Sequence, residues 1–184
     1  HRADEREGTE AERGQGGLRT AGDHHVGVAV ADLPECVADR DGAGGAAHRV
    51  GAVGPLHAEL DRAGSDSLKI RAFQNLINHY KYSNIDSALY YAKEGLDYAN
   101  QKQYAPGEAI MMNNLGQVNE RHGFLDLAKT QYLQAREIYR TLGNKNGIAS
   151  TTNGLGVIAG RTGRYNDATK HFLEALALFQ VTAN

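Results

Sequence analysis

Apolar residues recur at intervals of three and four along the second half of the chain. Leu125, Ala128, Tyr132, Ala135, Ile138 and Tyr139 form a single stripe, which predicts an amphipathic helix over 124–140. A preceding helix is expected over 113–122, with Gly123 and its neighbours between the two. The chain then turns through Gly143-Asn-Lys-Asn-Gly147, residues that tolerate left-handed backbone. The pattern returns as a helix over 149–160, a turn at Arg161–Arg164 and a helix over 165–179.

The return is a repeat. Leu115-Gly116 and Leu155-Gly156 stand forty residues apart. At the same spacing lie identical pairs: Ala109/Ala149, Asn113/Asn153, Arg121/Arg161, Gly123/Gly163, Ala128/Ala168, Leu133/Leu173 and Ala135/Ala175. An earlier, eroded unit is present as well. Leu76 matches Leu115 in type and Ala88 matches Ala128 at forty residues, so one residue is deleted between them. Gly95 then stands where later units have Ala135 and Ala175, and Ser65-Asp66-Ser67 offers capping side chains before the first helix. A fixed period of this length is the signature of a solenoid, whose extended surface serves partner binding. Gly116 and Gly156 fall mid-helix, where Gly costs about 1 kcal/mol relative to Ala. Two such glycines at equivalent positions imply that the neighbouring helix approaches closely there.

The pattern stops before residue 68. Residues 1–67 hold no Lys, Ile, Asn, Phe, Tyr or Met, and Gly and Ala fill 24 of the 67 positions. Residues 68–184 hold all nine Tyr, all four Phe and all seven Lys. Charge divides in the same place: seven Arg against thirteen Asp and Glu in the first part, thirteen Lys and Arg against nine Asp and Glu in the second. Without aromatics the leader has little apolar area to offset roughly 1–2 kcal/mol of backbone entropy per residue. It is therefore expected to be disordered, with a short helix near Leu56–Arg62 as one exception. The amino acids it lacks are largely those with A/T-rich codons, which suggests that it is not native to the repeats. Sequencing the transcript across Ala63–Leu68 would test that origin; a continuous native message would rule it out. The expected domains are thus a leader over 1–67 and a repeat region over 68–184, with units near 68–107, 108–147 and 148–184.

The repeat residues resemble the tetratricopeptide-repeat family. The resemblance rests on Asn-Leu-Gly at 114–116, Gly-Leu-Gly at 154–156, Gly123, Gly163, and the Ala-x3-Tyr/Phe-x2-Ala series at 128–135 and 168–175. The family unit is 34 residues. The forty-residue period, and Leu-Gly-Asn-Lys-x-Gly-Ile-Ala at 142–149, look like the subclass found in bacterial signalling proteins and kinesin-light-chain-type domains. The early Trp and the closing Pro of the family are missing, unless Pro106 is the latter. The resemblance implies an all-α fold: an α-solenoid of about three antiparallel helix pairs in a right-handed superhelix. It also implies a non-catalytic protein- or peptide-binding module, docking or sensing for a larger bacterial regulatory protein. Two alternatives stand beside it, an assembly scaffold and the repeat portion of an enzyme.

In the family the first helix of each unit lines the concave groove. Carried over by position, the groove residues are Asn78, with Gln74 and Lys81, from the first unit; Asn113, Asn114, Gln117, Glu120 and Arg121 from the second; and Asn153, Val157 and Arg161 from the third. An Asn amide donates to and accepts from a peptide backbone at once, which suits this role. Flanking Arg and Lys would suit a segment carrying acidic groups. The alternative is that Asn113, Asn114 and Asn153 cap or bridge helices within the scaffold.

Other chemistry finds little support. His24, His25, Cys36, His48 and His57 lack the tight ligand pairs of a zinc site. His79, His122 and His171 show no i, i+4 pairing, no nucleophile–base–acid set is recognisable, and no Gly-rich loop has phosphate-binding spacing. The tyrosines are read as packing between helices. No cofactor and no metal is expected. A lone Cys leaves the fold independent of disulfides, no run approaches a membrane span, and the charge is too small to argue for nucleic acid. A cytoplasmic location is expected, with an extracytoplasmic sensor region as the alternative. Leu173, Leu176, Leu178 and Phe179 include surface that a further repeat would cover. A parent protein that continues, or self-association through this helix, is therefore expected.

Overall fold

The computed structural model describes residues 54–183, and every regular element in that span is helical. The elements are α1 (Gly54–Arg62), α2 (Asp66–Tyr80), α3 (Ile85–Gln101), α4 (Ala105–Arg121), α5 (Leu125–Thr141), α6 (Lys145–Arg161) and α7 (Tyr165–Ala183). After α1 they form three antiparallel pairs, and α4 and α6 start forty residues apart, as do α5 and α7. The fold is an α-solenoid. The expected deletion is visible too. The residues preceding α2 and α4, Ser65 and Tyr104, are 39 apart, whereas Asn84 and Phe124, preceding α3 and α5, are 40 apart.

Side chains start several helices. The Ser65 hydroxyl accepts from the Leu68 N–H at 3.4 Å, Asn84 from Ser87 at 3.0 Å, and Asn144 from Gly147 at 2.9 Å. Each satisfies one donor that the first helical turn leaves open. These caps correct the sequence boundaries. Gly147 was expected in the turn, yet it lies inside the first turn of α6, where its amide is the one Asn144 caps. The first helices of units two and three therefore begin at 105 and 145, earlier than the 113 and 149 expected. Gly143 closes the α5–α6 turn at φ +64°; Gln103, at the equivalent place, holds φ +51° with a side chain in a region glycine prefers.

The first helices form one layer and the second helices another. α2 touches α4 and α4 touches α6, while α3, α5 and α7 make no contacts with one another. α3 and α5 each pack between their own partner and the first helix of the next unit. Close packing on one side and splaying on the other make the layer of first helices the concave one. α1 touches only α2. Glu59 accepts from Asn75 Nδ2 at 3.2 Å and pairs with Arg71 at 3.8 Å, Lys69 Nζ donates to the Leu60 carbonyl at 2.8 Å, and His57 shares a 2.7 Å hydrogen bond with Tyr91 of α3. Asn75 is equivalent to Gly154, which faces the second helix of the preceding unit. α1 thus stands where a preceding second helix would stand and covers the end of the stack. The short helix expected near Leu56–Arg62 exists, and helical structure reaches into the segment assigned to the leader.

The core is built on a repeated wedge. Tyr132 is buried between two glycines: a Cβ on Gly116 would lie 2.7 Å from its ring, and one on Gly154 would overlap it from the other side. Phe172 sits on Gly156 in the same way, at 2.7 Å. The close approach signalled by Gly116 and Gly156 is therefore made by an aromatic ring rather than by backbone. In the first unit the sizes are exchanged: Ala92 stands at the position of Tyr132, with Ile77 for Gly116 and Asn114 for Gly154, all three buried. Tyr80, Tyr91 and Tyr98 also pack between helices, whereas Tyr82 and Tyr90, expected to do the same, are exposed. Tyr80 stacks on Tyr91 at 5.7 Å, and the Tyr98 hydroxyl donates to Asp66 at 2.6 Å.

Burial makes this core sensitive to alkali. Burial raises the Tyr139 phenol from its ordinary 10.0 to about 12, and raises Tyr132 still further with help from Glu120. The unfolded chain then loses these protons first, so stability is intact below pH 10 and falls as pH rises toward 12. Alkaline unfolding followed by circular dichroism should coincide with a late step in tyrosinate absorbance. Ionisation of every tyrosine near pH 10, with the helices intact, would contradict it.

Candidate functional site

Along the inner layer the least buried positions form a stripe on each helix. On α6 it runs Asn146, Ser150, Asn153, Val157 and Arg161, a spacing of three and four that keeps one face outward. The equivalent positions are Pro106, Ile110, Asn113, Gln117 and Arg121 on α4, and Ser67, Arg71, Gln74 and Asn78 on α2, where the stripe ends in the turn at Tyr82. Side by side, the stripes make rows across the concave face. One row reads Gln74, Asn113, Asn153 and the next Asn78, Gln117, Val157. Five of these six side chains are neutral amides.

The structure sorts the expected site residues into three groups. Asn78, Gln117, Asn153 and Val157 lie on the stripe and are exposed or half-buried, and Lys81 Nζ donates to Asn78 Oδ1 at 2.8 Å. Asn113 also lies on the stripe but is only 7% exposed. It donates to Ser150 Oγ at 3.4 Å and so bridges α4 to α6. Its equivalent Asn153 is exposed because no further inner helix flanks α6 among the described residues. Asn113 therefore follows the scaffold alternative in part.

Asn114 requires a correction. It is 2% exposed and turned away from the groove toward α3, and its Nδ2 finds no hydrogen-bond partner among the described residues. It fills the space that Gly154 leaves to Tyr132 one unit later. The third group is ionic. Arg161, at the end of the stripe, donates its guanidinium to the Glu120 backbone carbonyl and pairs with the Glu120 carboxylate at 3.3 Å. Glu120 also accepts from the Tyr132 hydroxyl at 3.4 Å. Arg121, one unit earlier, lies 4.2 Å above the Tyr82 ring. Each arginine reaches back to the end of the preceding first helix, where a cation favours the helix dipole and a ring face. These three charges link units along one edge of the groove.

Arg71, Ile110 and Ser150, which form a third row, are not among the positions that the family resemblance carried over. Adding the forty-residue offset to Ile110 would have found Ser150. Sequence reasoning also missed a buried pair outside the groove, Asn119 Nδ2 donating to Gln131 Oε1 at 2.8 Å. Its equivalents in the first unit are the stacked Tyr80 and Tyr91.

No group of three His, Cys, Asp or Glu among the described residues is placed to hold a metal, and no described helix is long and apolar enough to cross a membrane. His24, His25, Cys36 and His48, and the expected disorder of the leader up to residue 53, lie outside the described residues. A shallow depression between α1 and α2, lined by Pro55, Glu59, Arg62, Leu68 and Arg71, lies apart from the amide rows.

Residues 107–180 match the family model described as Tetratricopeptide repeat. No curated protein and no solved structure matches the chain. The matched stretch begins in the first turn of α4 and ends within α7, so it spans the second and third helix pairs. Over residues 107–180 the chain is thus similar to the tetratricopeptide repeat, in agreement with the α-solenoid that its helix pairs form.

Proposed function

We propose that the concave face holds a peptide segment of a partner protein through its amide rows, as the docking part of a larger bacterial regulatory protein. The observation that carries this reading is the set of neutral amides, Gln74, Asn78, Gln117 and Asn153, at matching heights on three adjacent helices. Each offers a donor and an acceptor to a peptide backbone without selecting a side chain. Val157 supplies an apolar contact beside them. Arg71 and Lys81 at the α2 end favour a segment whose corresponding end is acidic. Resemblance of residues 142–149 to bacterial signalling repeats supports the regulatory context, by analogy of family alone.

The test starts from a peptide selected on the immobilised chain out of a random display library. Gln117→Ala and Asn153→Ala are each expected to weaken its binding by about 1–3 kcal/mol in calorimetry, since each leaves a desolvated peptide group unpaired. Asn114→Ala should leave affinity unchanged. If selected peptides ignore Gln117 and Asn153, or respond to Asn114 instead, the amide rows are not the binding surface.

A further inference from the structure

The two junctions between first helices carry different charges at equivalent places. At the α4–α6 junction Arg161 reaches back to the end of α4, where its guanidinium meets the Glu120 carboxylate at 3.3 Å. At the α2–α4 junction its equivalent, Arg121, reaches back to the end of α2, but there Lys81 takes the position of Glu120. A second cation stands in place of the carboxylate. Lys81 Nζ lies 5.3 Å and the Arg121 guanidinium 4.2 Å from the centre of the Tyr82 ring, so both charges gather at one ring. Among the described residues no carboxylate pairs with either, and the Arg121 guanidinium makes no hydrogen bond. Glu120, its neighbour in sequence, is taken up by Arg161 and the Tyr132 hydroxyl. The helix ends and the ring face attract cations, yet two like charges are left side by side without a counter-charge. They adjoin the amide rows: Asn78 accepts from Lys81 at 2.8 Å, and Gln117 precedes Arg121 by one helical turn on the same face.

We propose that Lys81 and Arg121 form an anion subsite at the edge of the concave face, which takes the carboxylate of one Asp or Glu side chain of the bound peptide. This rests on the reading of the amide rows as the peptide surface, and adds where along it an acidic residue stands. The incoming carboxylate plays at this junction the part that Glu120 plays at the next. Arg121 offers a planar fork to both carboxylate oxygens, and Lys81 adds a point charge. Tyr82 supports the guanidinium from below. Asn78 and Gln117 hold the peptide backbone one turn away, so the acidic residue lies where the segment crosses from α2 to α4. One such residue is selected rather than several. Arg161 already has its carboxylate, and Arg71, the other cation of α2, is paired with Glu59 at 3.8 Å.

Peptides selected on the full chain from a random display library should share one acidic residue at a fixed place. The probe is such a peptide, amidated at its C terminus, made with that residue as Asp or Glu and again as Asn or Gln. In calorimetry the amide form is expected to bind the native chain about five- to tenfold more weakly, between the values for an exposed ion pair and for a charge-assisted hydrogen bond. On Arg121→Gln, and on Lys81→Gln, the two forms should bind within about twofold of each other, with unchanged circular dichroism. The acid-to-amide change lies in the peptide, so the comparison on the native chain holds even where a variant fails to fold. Equal binding of both forms by the native chain overturns the subsite, as does an acid preference that both variants retain in full. If Gln117→Ala and Asn153→Ala still weaken that peptide, the amide rows stand and the subsite alone falls. A library that yields no peptide overturns both.

Discussion

Tyr132→Ala is expected to lower the stability of the repeat region by about 3–5 kcal/mol, the range for removing a large buried aromatic. Tyr132 is 1% exposed and touches three helices at once: its own α5, Gly116 of α4 and Gly154 of α6. Removing the ring leaves two helical glycines facing a void, and neither has a side chain that can turn into it. It also removes the hydroxyl that donates to Glu120, the residue that holds Arg161. Urea unfolding followed by circular dichroism would measure the loss as a fall in midpoint with little change in slope. A loss below about 1 kcal/mol would mean that the helices close over the gap.

The chain itself suggests how to repair this variant. In its first unit the same three positions read Ile77, Ala92 and Asn114, so the volume lies on the first helices instead of the second. Gly116→Ile and Gly154→Asn added to Tyr132→Ala copy that arrangement into the second unit. Coupling is expected because the three sites share one cavity. The triple variant should recover more than half of the stability lost, whereas Gly116→Ile alone, against the intact ring, should destabilise. A triple variant no more stable than Tyr132→Ala would show that the first unit packs by other means.

The same register explains what could be read from the sequence. The period, the helix pairs and the eroded first unit were legible because they rest on apolar spacing and on identities forty residues apart, which local periodicity exposes directly. Helix starts were less so. Gly147 looks like a turn residue until Asn144 is seen capping its amide. The groove was legible only in part. Asn78, Gln117 and Asn153 follow from the outward face of the first helices, but Asn113 and Asn114 are neighbours in sequence and a helix turns about 100° between them. That rotation takes Asn114 into the contact with the preceding unit. Its equivalent is Gly154, and a glycine at that position is the sign that it faces packing rather than solvent. Arg121 and Arg161 carry the same lesson: their partners, Tyr82 and Glu120, belong to the preceding unit, and composition does not reveal a contact across units.

Gly154→Ala and Gly160→Ala, six residues apart on α6, should change stability in opposite directions. Both replace a helical glycine, and that alone favours alanine by about 1 kcal/mol. At Gly160 a Cβ would meet only the Ala168 Cβ at 3.8 Å, ordinary contact, so the intrinsic gain survives and a stabilisation of about 0.5–1 kcal/mol is expected. At Gly154 the Cβ would fall within the ring of Tyr132, which Gly116 and the rest of α4 hold from behind. The ring cannot retreat without moving α5, and overpacking of this kind costs about 1–3 kcal/mol, enough to exceed the helical gain. Gly147→Ala should behave like Gly154→Ala, because its Cβ would meet the buried Tyr139 ring. Thermal unfolding of the three variants side by side decides the matter. Stabilisation at all three sites would show that α6 lifts from α5 at little cost, and the aromatic wedge would then not be what fixes the spacing of the units.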